Sequence, residues 1–358
     1  MSRVVALIPA HNEAGSIAVT IEAILDQTRV PDLVVVIPNG CSDNTAEIAR
    51  RYPVEVMELP KLQHRKSEAL NRAWSAHAED ADVIICLDAD TFLPRNAVED
   101  WEREMQENTE IGGSSSKFTM QGPGLLTRLQ KAEFSAWTDT ALRKGNTHVL
   151  AGTGCAIRGS VLREVAARED REGPWCYTSA TEDFELTYRI RELGYRCQVS
   201  PTVRAYTDSM DTVKALWGQR MKWQVGTVED LLYFGVNRLT LRDWGQQAMG
   251  IFGAFLKMLW LYVIIGQWVV FGSLNIYWVW WLLPLLFIAL DVKRAMRIPH
   301  RDWKDIVIAA TFFPNEVFMW LRSAWFTRSW IDVLLSKATG KRPDRWAAQY
   351  KAEGMEVK

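Results

Sequence analysis

Through the first 240 residues, short apolar runs alternate with segments whose apolar positions recur every three or four residues. Residues 4–8, 33–37 and 83–87 are runs rich in β-branched side chains and have the length of buried strands. Between them, residues 16–26 and 44–51 carry the spacing of amphipathic helices. This rhythm predicts an α/β fold, a doubly wound and mostly parallel sheet. In such sheets the loops after the strands converge on one crevice, so functional residues are expected just past the strand ends.

After residue 240 the pattern changes. Residues 258–274 are apolar apart from Gln267, and residues 276–290 carry no charge, with Asn275 as a tight connection between them. Each run falls short of the ~20 residues that span hydrocarbon comfortably. Lys257 on one side and Asp291, Lys293 and Arg294 on the other flank the pair, so a transmembrane hairpin is expected. Two buried core helices are the competing arrangement, and runs apolar on all sides favour lipid.

A third apolar stretch, residues 306–326, contains Pro314, Asn315, Glu316 and Arg322, each costly in lipid, and is expected to be broken, re-entrant or interfacial. Arg294, Arg297, Arg301 and Lys304 follow the hairpin, and Lys337, Lys341, Arg342 and Arg345 lie near the end, so both segments are expected on the cytoplasmic side. The division that results is a cytoplasmic domain over 1–240, a membrane region over 241–330 and a basic cytoplasmic tail over 331–358. This describes a multi-pass protein of the cell (inner) membrane with its catalytic domain inside.

Composition agrees with that division. Most of the seventeen tryptophans lie after residue 243, where their amphipathic rings would sit at a membrane interface. A formal net charge of -1 gives no basic field for nucleic acid, which leaves the list of partners. The five cysteines have no CxxC or histidine-paired spacing and read as reduced thiols of a cytosolic compartment. No charged segment followed by an apolar core precedes residues 4–8, so no cleaved signal peptide is expected.

Candidate chemistry begins at Asp88-Ala89-Asp90, which ends the run 83–87. Residues two apart on an extended chain point the same way, and two neighbouring carboxylates repel unless a cation joins them. Mg²⁺ or Mn²⁺ suits the pair, since such an ion takes one or two carboxylates and completes its shell with substrate phosphate. Thr181-Glu182-Asp183 opens a helical segment, where acidic residues also simply favour the helix dipole.

Gln219-Arg220-Met221-Lys222-Trp223 gathers two cations and a ring, a set suited to a diphosphate and a sugar, or equally to an amphipathic helix on a membrane surface. The segments 9–13 and 38–43 follow the first two strands, where a nucleoside would lie, and Asn39-Gly40 is also an ordinary turn pair. Gly152-Thr153-Gly154 offers backbone that a ligand, or simply a loop, approaches closely.

The order of these six segments resembles the family 2 glycosyltransferases of the GT-A fold, particularly the branch with cellulose, chitin and hyaluronan synthases. The resemblance covers residues 3–230 closely and the membrane part in general character. It implies that Ala10, His11, Glu13 and Asn39 contact the nucleoside, that Lys66 supports the donor, and that Asp88 and Asp90 handle nucleotide and metal. Asp183 would be the general base, with Glu182 beside it in the catalytic pair. Gln219, Lys222 and Trp223 would match the family's QxxRW signature, Trp223 against the acceptor sugar with Gln219, Gly152 and Gly154, and Lys222 near the pyrophosphate.

Two departures stand out. Asn39 replaces a family aspartate, and its carbonyl can still accept from a uracil N–H. Lys222 replaces arginine and loses the planar fork, which shifts diphosphate neutralisation toward Arg220 and the metal.

The expected activity is an inverting, metal-dependent transfer of a sugar from a nucleoside-diphosphate donor, UDP favoured, to an acceptor hydroxyl at a lipid bilayer. The signature favours processive polysaccharide synthesis. Single transfer to a glycan, lipid or protein acceptor is the alternative, because one hairpin encloses no polymer channel unless the chain forms a homo-oligomer. A nucleotide-sugar-binding scaffold without turnover is a third reading, opposed by the complete set of base, metal ligands and cations.

Overall fold

The structure is a computed structural model and describes residues 2–274 and 282–354. Strand β1 (Val4–Ala10) is followed by helix α1 (Ile17–Leu25), strand β2 (Leu33–Pro38), helix α2 (Thr45–Ala49), the short strand β3 (Glu55–Val56), helix α3 (Arg65–Ala73) and strand β4 (Val83–Cys86). Val5, Leu7, Val35, Ile37, Ile84 and Ile85 are all buried, as expected of strands covered on both faces. β2 pairs in parallel with β1, β1 with β4, and β3 with β2. The chain therefore runs outward from β1 to β3 and returns on the other side of β1 as β4. The border between β1 and β4 is the switch point at which such sheets bind ligands.

Beyond β4 come β5 (Thr91–Phe92), α4 (Ala97–Glu107), β6 (Ile111–Met120), α5 (Leu125–Lys144), β7 (Cys155–Arg158), α6 (Gly159–Ala166), α7 (Glu182–Glu192) and β8 (Arg196–Thr207). The sheet order is β3-β2-β1-β4-β7-β6-β8-β5. The parallel half follows the alternation read from the sequence. β7 enters antiparallel between β4 and β6, and β5 pairs antiparallel with β8, which makes the whole sheet mixed. One face is packed by Leu70, Trp74, Leu162, Leu186 and Ile190, so α3, α6 and α7 share a core with β1 and β4. That packing fixes the N-terminus of α7, where the acidic pair sits.

Two compact units emerge. The first comprises residues 1–123 and 136–209 and holds the whole sheet. The second comprises residues 124–135 and 210–358. It contains α8 (Val213–Phe234), α9 (Leu241–Phe271), α10 (Leu282–Ala295), α11 (Trp303–Ala310), α12 (Phe312–Thr339) and α13 (Arg345–Glu353). Residues 210–240 thus pack with the helical part, through Leu216, Val225 and Val228 of α8 against Phe318, Trp325 and Val333 of α12.

Helix α9 is 31 residues long, its most apolar stretch has a mean hydropathy of 2.0, and none of that stretch is buried. Among the described residues it is the one helix long and apolar enough to cross a membrane. It starts at Leu241, so the apolar run continues through Lys257. That ammonium lies 3.3 Å from Glu316 Oε1 of α12 and 5.0 Å from the Trp320 ring, and meets a neighbouring helix instead of ending its own. Residues 282–290 begin α10, while 275–281, the expected connection and start of the second run, lie outside the described residues. Residues 306–326 fall on α11 and α12, parted at Thr311.

Candidate active site

The ends of β1 and β2 are tied together by their loops. Asn12 adopts φ +58, a conformation asparagine tolerates better than most residues, and its Oδ1 accepts from the Ser42 backbone N–H at 2.7 Å. Glu13 N–H donates to Thr45 Oγ1 at 2.8 Å and Ala14 N–H to Asp43 at 3.0 Å. Asn39 N–H donates to the Ala10 carbonyl, and His11 Nδ1 lies 2.7 Å from the Asn39 carbonyl oxygen. Ala10, His11, Glu13 and Asn39 therefore form one patch at the carboxyl ends of β1 and β2, beside the switch point. The Asn39 side chain departs from the reading above, because its Oδ1 already accepts from Leu62 N–H at 3.3 Å. That bond fixes the amide's orientation and leaves one oxygen lone pair and the NH₂ group for other partners.

The end of β4 carries the carboxylates. Asp88 N–H donates to the Gly152 carbonyl at 3.0 Å, which brings the glycine loop against it. Lys66 of α3 lies between two acids, with Nζ 2.6 Å from Asp88 Oδ1 and 3.2 Å from Glu182 Oε1. A side chain at residue 152 would put its Cβ 2.7 Å from that Nζ, so the ammonium occupies the space the glycine leaves. Asp183 follows Glu182 at the start of α7, and its Oδ1 accepts from Phe184 N–H at 2.8 Å. Lys66, Asp88, Gly152, Glu182 and Asp183 line one cavity of about 20 Å³, room for about one water.

The electrostatics are those of crowded acids in a dry place. Burial, reinforced by Glu182 and opposed by Lys66, raises Asp183 to about 6. Burial and the charges of Asp88 and Asp208 raise Asp90 to about 7, and burial raises Glu13 to about 7 against the Ser16 hydroxyl that favours its charge. For Lys66 burial disfavours the charge, but Asp88 and Glu182 outweigh it and hold the pKa well above the usual range.

Asp208 was not singled out in the sequence, although it obeys the same rule, lying one residue past the end of β8. Asp90 accepts from the Thr91 hydroxyl at 3.1 Å and faces other acids. Among the described residues no three acids, histidines or cysteines are gathered as a metal cage. The Asp88–Asp90 pair fits instead a cation that takes most of its ligands from substrate and water.

The other predicted residues are not part of that cavity's lining. Gly154 adopts φ +145 and would turn a side chain toward Leu93, Ser116 and Trp101, which is interior. Gln219, Arg220, Lys222 and Trp223 all belong to α8 in the second unit. Arg220, expected near the diphosphate, has partners within its own unit. It is buried, bonded to Glu133 at 3.0 Å and placed between the Phe134 and Trp223 rings at 4.7 and 4.5 Å. Lys222 Nζ lies 3.2 Å from the Trp346 ring centroid of α13, and the buried Gln219 Oε1 has no hydrogen-bond partner among the described residues.

Residues 83–292, more than half of the chain, match the model of glycosyl transferase family group 2. The chain belongs to this family. Among relatives, the poly-beta-1,6-N-acetyl-D-glucosamine synthase of Staphylococcus epidermidis is 22% identical over 268 residues, 72% of this chain and 62% of that protein. The probable glycosyltransferase YdaM of Bacillus subtilis is 27% identical over 249 residues, 65% of this chain and 57% of its own length. This glycosyltransferase thus spans less than two thirds of the length of the relatives it matches.

Its fold is that of the GT-A glycosyltransferases. The mannosyltransferase PcManGT from Pyrobaculum calidifontis, solved with GDP-Man and Mn²⁺, matches with a TM-score of 0.65 at 16% identity over 94% of this chain and 88% of that one.

Proposed function

We propose that this glycosyltransferase moves a sugar from a nucleoside-diphosphate donor to an acceptor hydroxyl by a single displacement with inversion, using Asp183 as general base. The observation that carries the reading is the shared cavity of Asp88, Lys66, Glu182 and Asp183. Asp183 accepts the proton of the acceptor hydroxyl as that oxygen attacks the anomeric carbon. A carboxyl raised to about 6 remains mostly ionised at neutral pH and is a stronger base than an exposed one. Glu182 holds Lys66 and leaves the proton transfer to Asp183. Lys66 keeps its charge beside Asp88 and orients that carboxylate.

Asp88 and Asp90 would hold a divalent ion, Mg²⁺ or Mn²⁺, whose charge neutralises the departing diphosphate. Ala10, His11, Glu13 and Asn39 would bind the nucleoside. UDP is the favoured nucleotide, and the named N-acetylglucosamine polymer synthase among the relatives makes a UDP-N-acetylhexosamine the first donor to try. The exposed apolar flank of α9, with Phe255, Trp268 and Val270, supports attachment to a membrane, and the basic residues Arg294, Arg297, Arg301 and Lys304 are the reason to place the catalytic unit on the cytoplasmic face of the inner membrane.

Asp183→Asn tests the base. Transfer should fall by about 10² to 10⁴ while donor affinity changes little. Substantial turnover by this variant removes Asp183 from the role. Product size after incubation with the accepted donor separates polymer synthesis from single transfer to a lipid or protein.

A further inference from the structure

The cavity beside Asp183 has an apolar wall that the mechanism does not use. Trp175 is buried at 3% exposure and lines the same space as Asp88, Glu182 and Asp183. It sits on the connection between α6 and α7, a stretch without regular structure, so something other than a strand or helix must hold it.

Asn71, in the last turn of α3, does so. Its Nδ2 donates to the Trp175 carbonyl at 2.8 Å, and Trp175 N–H donates to its Oδ1 at 3.0 Å. Both backbone groups of one loop residue are thus satisfied by one buried amide, as a neighbouring strand would satisfy them. Gly173 lets the loop come this close, since a Cβ there would lie 2.5 Å from Asn71 Cγ. Such a contact is not needed to fill the core. It specifies where the Trp175 backbone lies, and with it the ring.

We propose that Trp175, held by Asn71, is a positioning residue that keeps water from the catalytic carboxylate and so sets the balance between sugar transfer and donor hydrolysis. The inference rests on Asp183 as the base. With about 20 Å³ of free space the cavity admits about one water. Removing the indole opens room for several, each taking about 30 Å³.

A water there competes with the acceptor. Its oxygen bonds to the anomeric carbon as the bond from that carbon to the diphosphate oxygen breaks. Its proton passes to Asp183, and the electron pair leaves with the diphosphate. The groups that face Asp183 are Glu182, Lys66, Asp88 and the Phe184 N–H.

The test uses the full chain in detergent and the donor that it turns over from a panel of UDP- and GDP-sugars, counting free sugar against transferred sugar. Trp175→Ala should raise the ratio of hydrolysis to transfer at least about fivefold and lower kcat for transfer about tenfold, with the donor KM within about twofold. Trp175→Phe should restore the ratio. Asn71→Ala and Gly173→Ala, which keep the indole but loosen its backbone, should raise the ratio by a smaller factor.

Thermal unfolding identifies variants that have lost the fold, and if Trp175→Ala is among them the two loop variants decide. An unchanged ratio in the folded variants overturns the inference. Asp183→Asn separates the two ideas. If it is inactive while Trp175→Ala partitions like the unmodified chain, the wall fails and the base stands, whereas an active Asp183→Asn overturns the base reading and the inference with it.

Discussion

Lys66→Met offers the sharpest test of the electrostatic arrangement, because it keeps the aliphatic stem and removes one charge. The ammonium lies 2.6 Å from Asp88 and 3.2 Å from Glu182, with all three side chains no more than one third exposed. Removing one partner of a buried pair costs about 3–5 kcal/mol, and the lower end applies here because the Asp88 side chain is only partly buried. At roughly 2–4 °C per kcal/mol, Tm should fall by about 6–12 °C.

The pH dependence gives an independent sign. Lys66 lowers the Asp183 pKa, so its loss must raise that pKa above about 6. A base that must be ionised then loses activity at a higher pH. A rise of about one unit, worth ~1.4 kcal/mol, would reduce the ionised fraction at pH 7 from roughly nine tenths to roughly half. The assay is the pH profile of the residual kcat, with Lys66→Arg as the control that keeps the charge. An acid limb that stays near its original pH in Lys66→Met, or moves down, refutes the placement of this ammonium against the base.

Two further outcomes follow from other parts of the structure. Asp90 is raised to about 7, so a divalent cation must displace a proton below that pH. Mn²⁺ affinity measured by calorimetry should weaken up to about tenfold per unit as pH falls below 7 and level off above it, and a flat profile from pH 5.5 to 8 would exclude Asp90 as a ligand. Helix α9 exposes its apolar window fully, so the expressed chain should remain in the membrane pellet after an alkaline carbonate wash and enter solution only with detergent. Release by carbonate alone would mean that α9 is covered by protein.

The part of the site that was legible is the part set by local rules. A β-branched run followed by an acidic pair predicted Asp88 and Asp90 at a strand end, and acidic residues opening a helical segment predicted the start of α7 at Glu182. What was hidden depends on tertiary register. Nothing near Lys66 in the chain announces that its ammonium will sit between Asp88 and Glu182. Nothing near Asn71 announces that its amide will be held by a loop more than a hundred residues away. Asn39 presented an acceptor in the sequence and has its oxygen engaged by Leu62 in the fold. Lys257 read as the end of an apolar run because a charge usually ends one, and only the pairing with Glu316 lets the helix continue through it.

The raised acids also explain why the site is anchored to the buried centre of the sheet. An acid whose pKa rises from its ordinary value to about 6 or 7 on folding favours the folded state only while protonated. Its contribution is fully present below pH ~4 and is lost as pH rises through the folded pKa. At neutral pH, Glu13, Asp90 and Asp183 therefore all oppose folding while no cation is bound. Glu13 and Asp90 lie just past β1 and β4, and both strands are buried, paired with each other in parallel and flanked by further strands, while Asp183 lies on α7, which packs on the same two strands. Loops anchored to an edge strand would yield to the same repulsion by moving the acids apart, and the affinity for a bridging cation would be lost with their proximity. Strain of this kind, carried by a buried pair of central strands, is what leaves the carboxylates poised for a cation and for a proton.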